Sequence, residues 1–116
     1  MIRLPARLEV LHAACEIFGL DVPQVTKRAA DDDMNRRPRC CIVRAVYCGM
    51  MREHWPCYSL PELAEAMGAR THVTAIDASR RWRKWDDGHE IVPGMTKADV
   101  RREMLRRIAN ICGGVA

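Results

Sequence analysis

Ser59-Leu60-Pro61-Glu62-Leu63-Ala64-Glu65-Ala66-Met67-Gly68-Ala69-Arg70-Thr71-His72-Val73-Thr74 is the stretch whose reading decides the fold. Ser59 and Glu62 have the spacing of a capping box. The hydroxyl accepts from the amide three residues on, and the carboxylate reaches back to the cap's own N–H. Gly68 supplies the left-handed residue that stops a helix. Thr71 is then expected to cap a second helix running to about Trp85, with His72 and Thr74 in its first turn and Arg80, Arg81, Arg83 and Lys84 later. Two capped helices joined by a tight glycine turn make a helix-turn-helix, whose second helix can enter a major groove N-terminus first.

Working outward, Leu8, Leu11, Ala14, Cys15 and Phe18 recur at helical spacing from about Ala6 to Phe18, which predicts one buried stripe ended by Gly19. Residues 22–28 read as a short helical turn and residues 29–35 as a polar loop. Arg36 to Glu53 is nearly all apolar apart from its arginines and predicts a central helix wrapped on several sides, with Pro38 in its first turn. Asp86-Asp87-Gly88 stops the second helix of the motif, and Pro93-Gly94 marks a turn. Thr96 with Asp99 repeats the capping-box spacing for a last amphipathic helix, in which Val100, Met104, Ile108 and Ile111 are expected to face inward. The fold class expected is all-α, a compact bundle of five or six short helices forming one domain over residues 1–116.

A chain of 116 residues is long enough for one small core. It carries no G-x-x-x-x-G-K-[ST] phosphate loop. The net charge is +4, yet residues 34–85 hold ten Lys/Arg against four Asp/Glu, so positive charge gathers around the helix-turn-helix. Such a face attracts phosphate through counterion release without implying sequence specificity. Cys15, Cys40, Cys41, Cys48, Cys57 and Cys112 form no C-x-x-C pair and no zinc-knuckle spacing, which predicts free, buried thiols and neither metal nor cofactor. Arg3, Pro5 and Arg7 interrupt the apolar N-terminus, and no apolar run could span a bilayer; a reducing cytoplasm without a membrane partner is expected. An enzyme built on Cys48, His54 and Cys57 lacks a recognisable base, nucleophile and orienter, so no catalysis is expected.

The quoted stretch resembles the C-terminal DNA-binding domain (domain IV) of the bacterial chromosomal replication initiator DnaA, whose signature runs S-L-P-E-[IL]-G-x-x-[FM]-G-G-R-D-H-T-T-V. The likeness extends upstream to Ala14–Val22 and Thr26-Lys27-Arg28, and downstream to residues 96–111, so it covers nearly the whole chain. It implies double-stranded DNA as partner, with the residues matching Arg70 to Thr74 touching base edges and nearby phosphates. His72 and Thr74 carry over directly. The family's aspartate is Thr71 here and its first threonine is Val73, which trades a cytosine-reading carboxylate for a hydroxyl and a hydroxyl for an apolar group suited to a thymine methyl.

Matching Arg37-Pro38-Arg39 to the family's R-P-R would force about five extra residues into a helix, whereas matching Arg44 and Arg52 to its R-x7-[KR]-E puts them in a loop, where insertions are tolerated. Arg44 and Arg52 are therefore the expected phosphate or base-edge contacts, with Arg37 and Arg39 as additional cations. The family's minor-groove arginine falls on Ala29, beside Arg28, Arg36 and Arg37 as substitutes. Leu60 and Pro61 begin the scaffold helix, where backbone amides and the helix dipole can hold a phosphate. Arg80 and Arg81 stand outward on the recognition helix, opposite Ala75, Ala78, Ser79 and Trp82.

The resemblance thus implies sequence-specific binding related to replication-origin (DnaA-box) recognition, in replication initiation or its regulation. The chain would be a bacterial or phage protein at the nucleoid, or a fragment of a longer initiator; Met1 and the departures within the motif favour a separate short protein. Without the ATPase portion it is not expected to melt an origin. The alternative is an adaptor or antagonist that keeps the fold, has lost DNA reading and partners the initiator or other replication proteins; Val73 and Ala29 are the features that favour it.

Overall fold

The computed structural model describes residues 3–26, 38–69 and 71–113. Its helices are α1 (Arg7–Ile17), α2 (Val22–Thr26), α3 (Pro38–His54), α4 (Leu60–Ala66), α5 (Val73–Lys84) and α6 (Lys97–Ile111). The expected mostly helical bundle is what forms. A small antiparallel ribbon is added to it: β1 (Glu90–Val92) pairs with β2 (Met95–Thr96) around Pro93-Gly94. The sequence signalled only a turn there. Gly94 takes φ +83°, which lets the chain reverse, and Ile91 is buried in the core.

Local signals set most helix ends. Glu62 N–H donates to Ser59 Oγ at 3.3 Å and Ser59 N–H to Glu62 Oε1 at 2.9 Å. The Thr96–Asp99 pair repeats this at 3.2 and 3.0 Å. Gly19 and Gly68 stop α1 and α4 at φ +71° and +72°. Ser59→Ala is expected to cost about 1 kcal/mol through the lost cap, measured as a lower urea midpoint with unchanged m-value.

Two burial expectations are corrected. Leu8 is 57% exposed, and the buried arc of α1 is instead Val10, Leu11, Ala13, Ala14, Cys15 and Phe18. Because α1 packs against both α3 and α6, the arc rotates toward Val10 and Ala13 and leaves Leu8 at its edge. Ile111 is 37% exposed; Val100, Met104 and Ile108 are fully buried and Cys112 continues their row past the helix end.

Helix α3 is the centre of the molecule, with Val43, Ala45, Val46, Tyr47, Cys48, Met50 and Met51 out of contact with water. Its most extensive partner is α5. A Cβ on Gly49 would lie 2.0 Å from Trp82 Cγ, so the glycine is what lets the Trp82 ring seat against α3. Trp82 Nε1 donates to Glu53 Oε1 at 2.8 Å, and Arg101 Nε donates to Glu53 Oε2 at 3.2 Å. Burial raises the Glu53 carboxyl, but the hydrogen bonds from Trp82 and Arg101 and the charges of Arg101 and Lys97 outweigh it, leaving the pKa below the ordinary value. Lys97 is buried because its Nζ donates to the Trp82 and Trp85 carbonyls at 2.8 and 2.9 Å, satisfying acceptors that the end of α5 would otherwise leave open.

Candidate nucleic-acid interface

The helix-turn-helix is α4, the turn at Gly68 and α5. Gly68 has two reasons to be glycine. Its φ is +72°, and a Cβ there would stand 2.4 Å from the Thr26 carbonyl oxygen, so the end of α2 packs directly under the turn. Helix α4 is held from outside by Arg7, which donates to the Glu62 carbonyl at 2.6 Å, and from inside by Tyr47, whose hydroxyl donates to the Leu63 carbonyl at 3.1 Å.

Thr71 does not cap α5. The N-cap is His72, at φ −71° and ψ −11° and with no side-chain cap bond. Helical bonding begins one residue later than the sequence suggested: the first accepting carbonyl is that of His72, bonded by Ile76 N–H at 3.0 Å. Thr71 and His72 are therefore both exposed and uncommitted to capping, and Val73 beside them is 52% exposed. With Pro61 and Ala69 they line an open concavity of about 820 Å³ between α4 and the start of α5.

On α5 the buried set is Ala75, Ala78, Ser79 and Trp82, as the helical period required. Asp77, Arg80, Arg81, Arg83 and Lys84 are exposed, with Thr74 and Ile76 half-buried at the flanks. Arg39 is exposed near the start of α3 and Arg52 near its end. Arg44 lies differently. It is half-buried and donates to the Val25 carbonyl at 2.7 Å, tying α3 to α2. Leu60 is half-buried and Pro61 exposed. The capping box takes the Glu62 amide and Pro61 has none, so Leu60 supplies the open N–H of that turn. Arg28, Arg37 and Arg70, with Ala29 and Arg36, lie outside the described residues.

The cations divide sharply by location. Arg3 pairs with Glu9, Arg7 with Glu65, Arg101 with Glu53 and Asp87, Arg102 with Asp99, and Arg106 and Arg107 with Glu103. These belong to α1, α6 and the segment before α1. Arg39, Arg52, Arg80, Arg81, Arg83 and Lys84, all on α3 and α5, have no acidic partner among the described residues. Unpaired guanidiniums keep their full field for an external anion, whereas paired ones are largely neutralised.

Arg83 and Ser79 were not placed in the site by the sequence. Both line a cleft of about 250 Å³ with Arg52, Glu53, Leu60 and Ile76. The available signal was that Arg83 stands two turns after Ile76 on one flank of α5; which helix that flank faces is a tertiary matter.

Four of the six thiols, Cys15, Cys40, Cys48 and Cys112, are buried. Burial pushes Cys48 up to about 12 and Cys15 up to about 11. Cys57, expected to be buried, is exposed, and Cys41 is half-buried. Among the described residues no group of three His, Cys, Asp or Glu side chains could hold a metal ion, and no helix is long and apolar enough to cross a membrane. The chain matches no protein-family profile, no curated protein and no solved structure.

Proposed function

We propose that this protein binds double-stranded DNA through α4 and α5, at sites related to those of the replication initiator whose DNA-binding domain the motif resembles, and acts in replication initiation or its regulation. The observation that carries this reading is the partition of charge: among the described residues Arg39, Arg52, Arg80, Arg81, Arg83 and Lys84 of α3 and α5 have no acidic partner, while the arginines of α1 and α6 are paired. Exposed Thr71, His72 and Val73 at the start of α5 offer a hydroxyl, an imidazole and an apolar group to base edges.

Titrating a labelled duplex across a salt series tests the reading. Binding that weakens steeply with salt is expected; no affinity even at low salt would refute it. His72→Ala is expected to cost about 1–3 kcal/mol on a duplex selected from a random library and little on an arbitrary duplex. Equal losses on both would make His72 a positioning group and not a reader. A second reading, an adaptor that binds a replication protein and not DNA, is favoured by the 52% exposure of apolar Val73. Absence of duplex binding combined with a complex formed with the purified initiator would select it.

A further inference from the structure

We infer that the cleft between the end of α3 and the flank of α5 is a built site for one phosphate group, held jointly by Arg52 and Arg83 with the Ser79 hydroxyl. The inference rests on the DNA-binding reading for the source of that phosphate, a backbone phosphodiester, and it adds residues that the helix-turn-helix motif does not mark.

Three observations converge on it. Arg52 and Arg83, from different helices, line the same cleft of about 250 Å³, and neither has an acidic partner among the described residues. Ser79 lines that cleft too. The residue is only 5% exposed, and its Oγ is the one buried side-chain polar atom among the described residues without a hydrogen-bond partner. A serine inside a helix ordinarily returns its hydrogen to the carbonyl four residues back. Here that bond is not made, and a hydroxyl buried without a partner is costly unless an acceptor completes it. The acid that lines the cleft, Glu53, is already engaged by Trp82 Nε1 at 2.8 Å and by Arg101 at 3.2 Å. The cleft therefore presents two uncommitted guanidiniums and one hydroxyl donor against a carboxylate that is already compensated.

The chemistry of that set favours a phosphate. Guanidiniums present planar forks that match oxyanions bidentately, and a phosphodiester has two charged oxygens plus ester oxygens to receive two forks and a hydroxyl. The site lies beside Leu60 at the start of α4, so an occupying phosphate would fix how α5 lies in the groove without reading a base.

The test is a salt series on a fixed duplex with wild type, Arg52→Gln, Arg83→Gln and the double variant, with Arg102→Gln as an ion-paired control. Two arginines on one phosphate lower the log–log slope of the double variant by about 0.9, and two separate phosphates lower it by about 1.8. A fall near the first value, with Arg102→Gln unchanged, is the expected result; a fall near the second, or none, overturns the joint site. Ser79→Ala is expected to weaken binding about fivefold without altering the slope, since it removes no charge. Unchanged affinity overturns the hydroxyl's part.

If wild type binds no duplex at any salt, the DNA reading fails and a pyrophosphate titration decides the site. Movement of the Arg52 and Arg83 side-chain Nε–H resonances, lost in Ser79→Ala, supports a site for a free phosphate; their constancy overturns it.

Discussion

Gly49→Ala is expected to destabilise the protein by about 3 kcal/mol, lowering the melting temperature by about 12 °C, with duplex binding lost in parallel. The added carbon would sit 2.0 Å from Trp82 Cγ, 2.3 Å from Cδ1 and 2.5 Å from Cβ, distances that no rotamer change of a rigid indole inside a packed interface can relieve. Trp82 is fully buried, donates to Glu53 at 2.8 Å and carries the face by which α5 is seated on α3. Relief of the clash therefore means moving the whole of α5. Gly88→Ala is the control, because nothing lies within 4 Å of its would-be Cβ and its φ is not positive; it should leave the melting temperature within about 2 °C. An unaltered melting temperature for Gly49→Ala would show that α5 is not locked by Trp82.

The second large effect separates free cations from paired ones. Arg80→Gln, Arg81→Gln and Lys84→Gln together remove exposed charges that have no acidic partner among the described residues. The triple variant should lose about two to three units of log–log salt slope, and at low salt its affinity should fall by about a hundredfold or more. Arg102→Gln with Arg106→Gln also removes positive charge, but from guanidiniums already bound to Asp99 and Glu103 on α6. That pair should change the slope by less than about half a unit. If both variants weaken binding in proportion to net charge alone, the attraction is diffuse and α5 is not the surface presented to DNA. Fluorescence anisotropy on one duplex, with folding of each variant checked by circular dichroism, gives the comparison.

Arg44 illustrates where sequence reasoning stops. It was matched to the family's arginine by moving inserted residues into a loop, and it stands on α3, which runs from Pro38 to His54. What the alignment could not see is that the Val25 carbonyl lies 2.7 Å from its guanidinium, so much of what Arg44 does is to hold α2 against α3. Lys97 is the converse case. In the sequence it is one more surface cation at a helix start; in the fold it is buried and closes the end of α5. The turn at Gly68 was legible because a left-handed stop is a local matter, but its near-contact with the Thr26 carbonyl was not.

The sequence by itself determined the caps at Ser59 and Thr96, the glycine stops at positions 19 and 68, and the buried set Ala75, Ala78, Ser79 and Trp82 on α5. Each depends on dihedral preferences and hydrogen bonds within one turn, or on the 3.6-residue period of one helix. Only the tertiary structure decided that Leu8 and Ile111 face outward, that His72 and not Thr71 is the N-cap of α5, that Gly49 is the seat of Trp82, and which of the described arginines meet an acidic partner. Those outcomes turn on which helices become neighbours. Burial and ion pairing are set by packing between segments far apart in the chain, and no local preference encodes them.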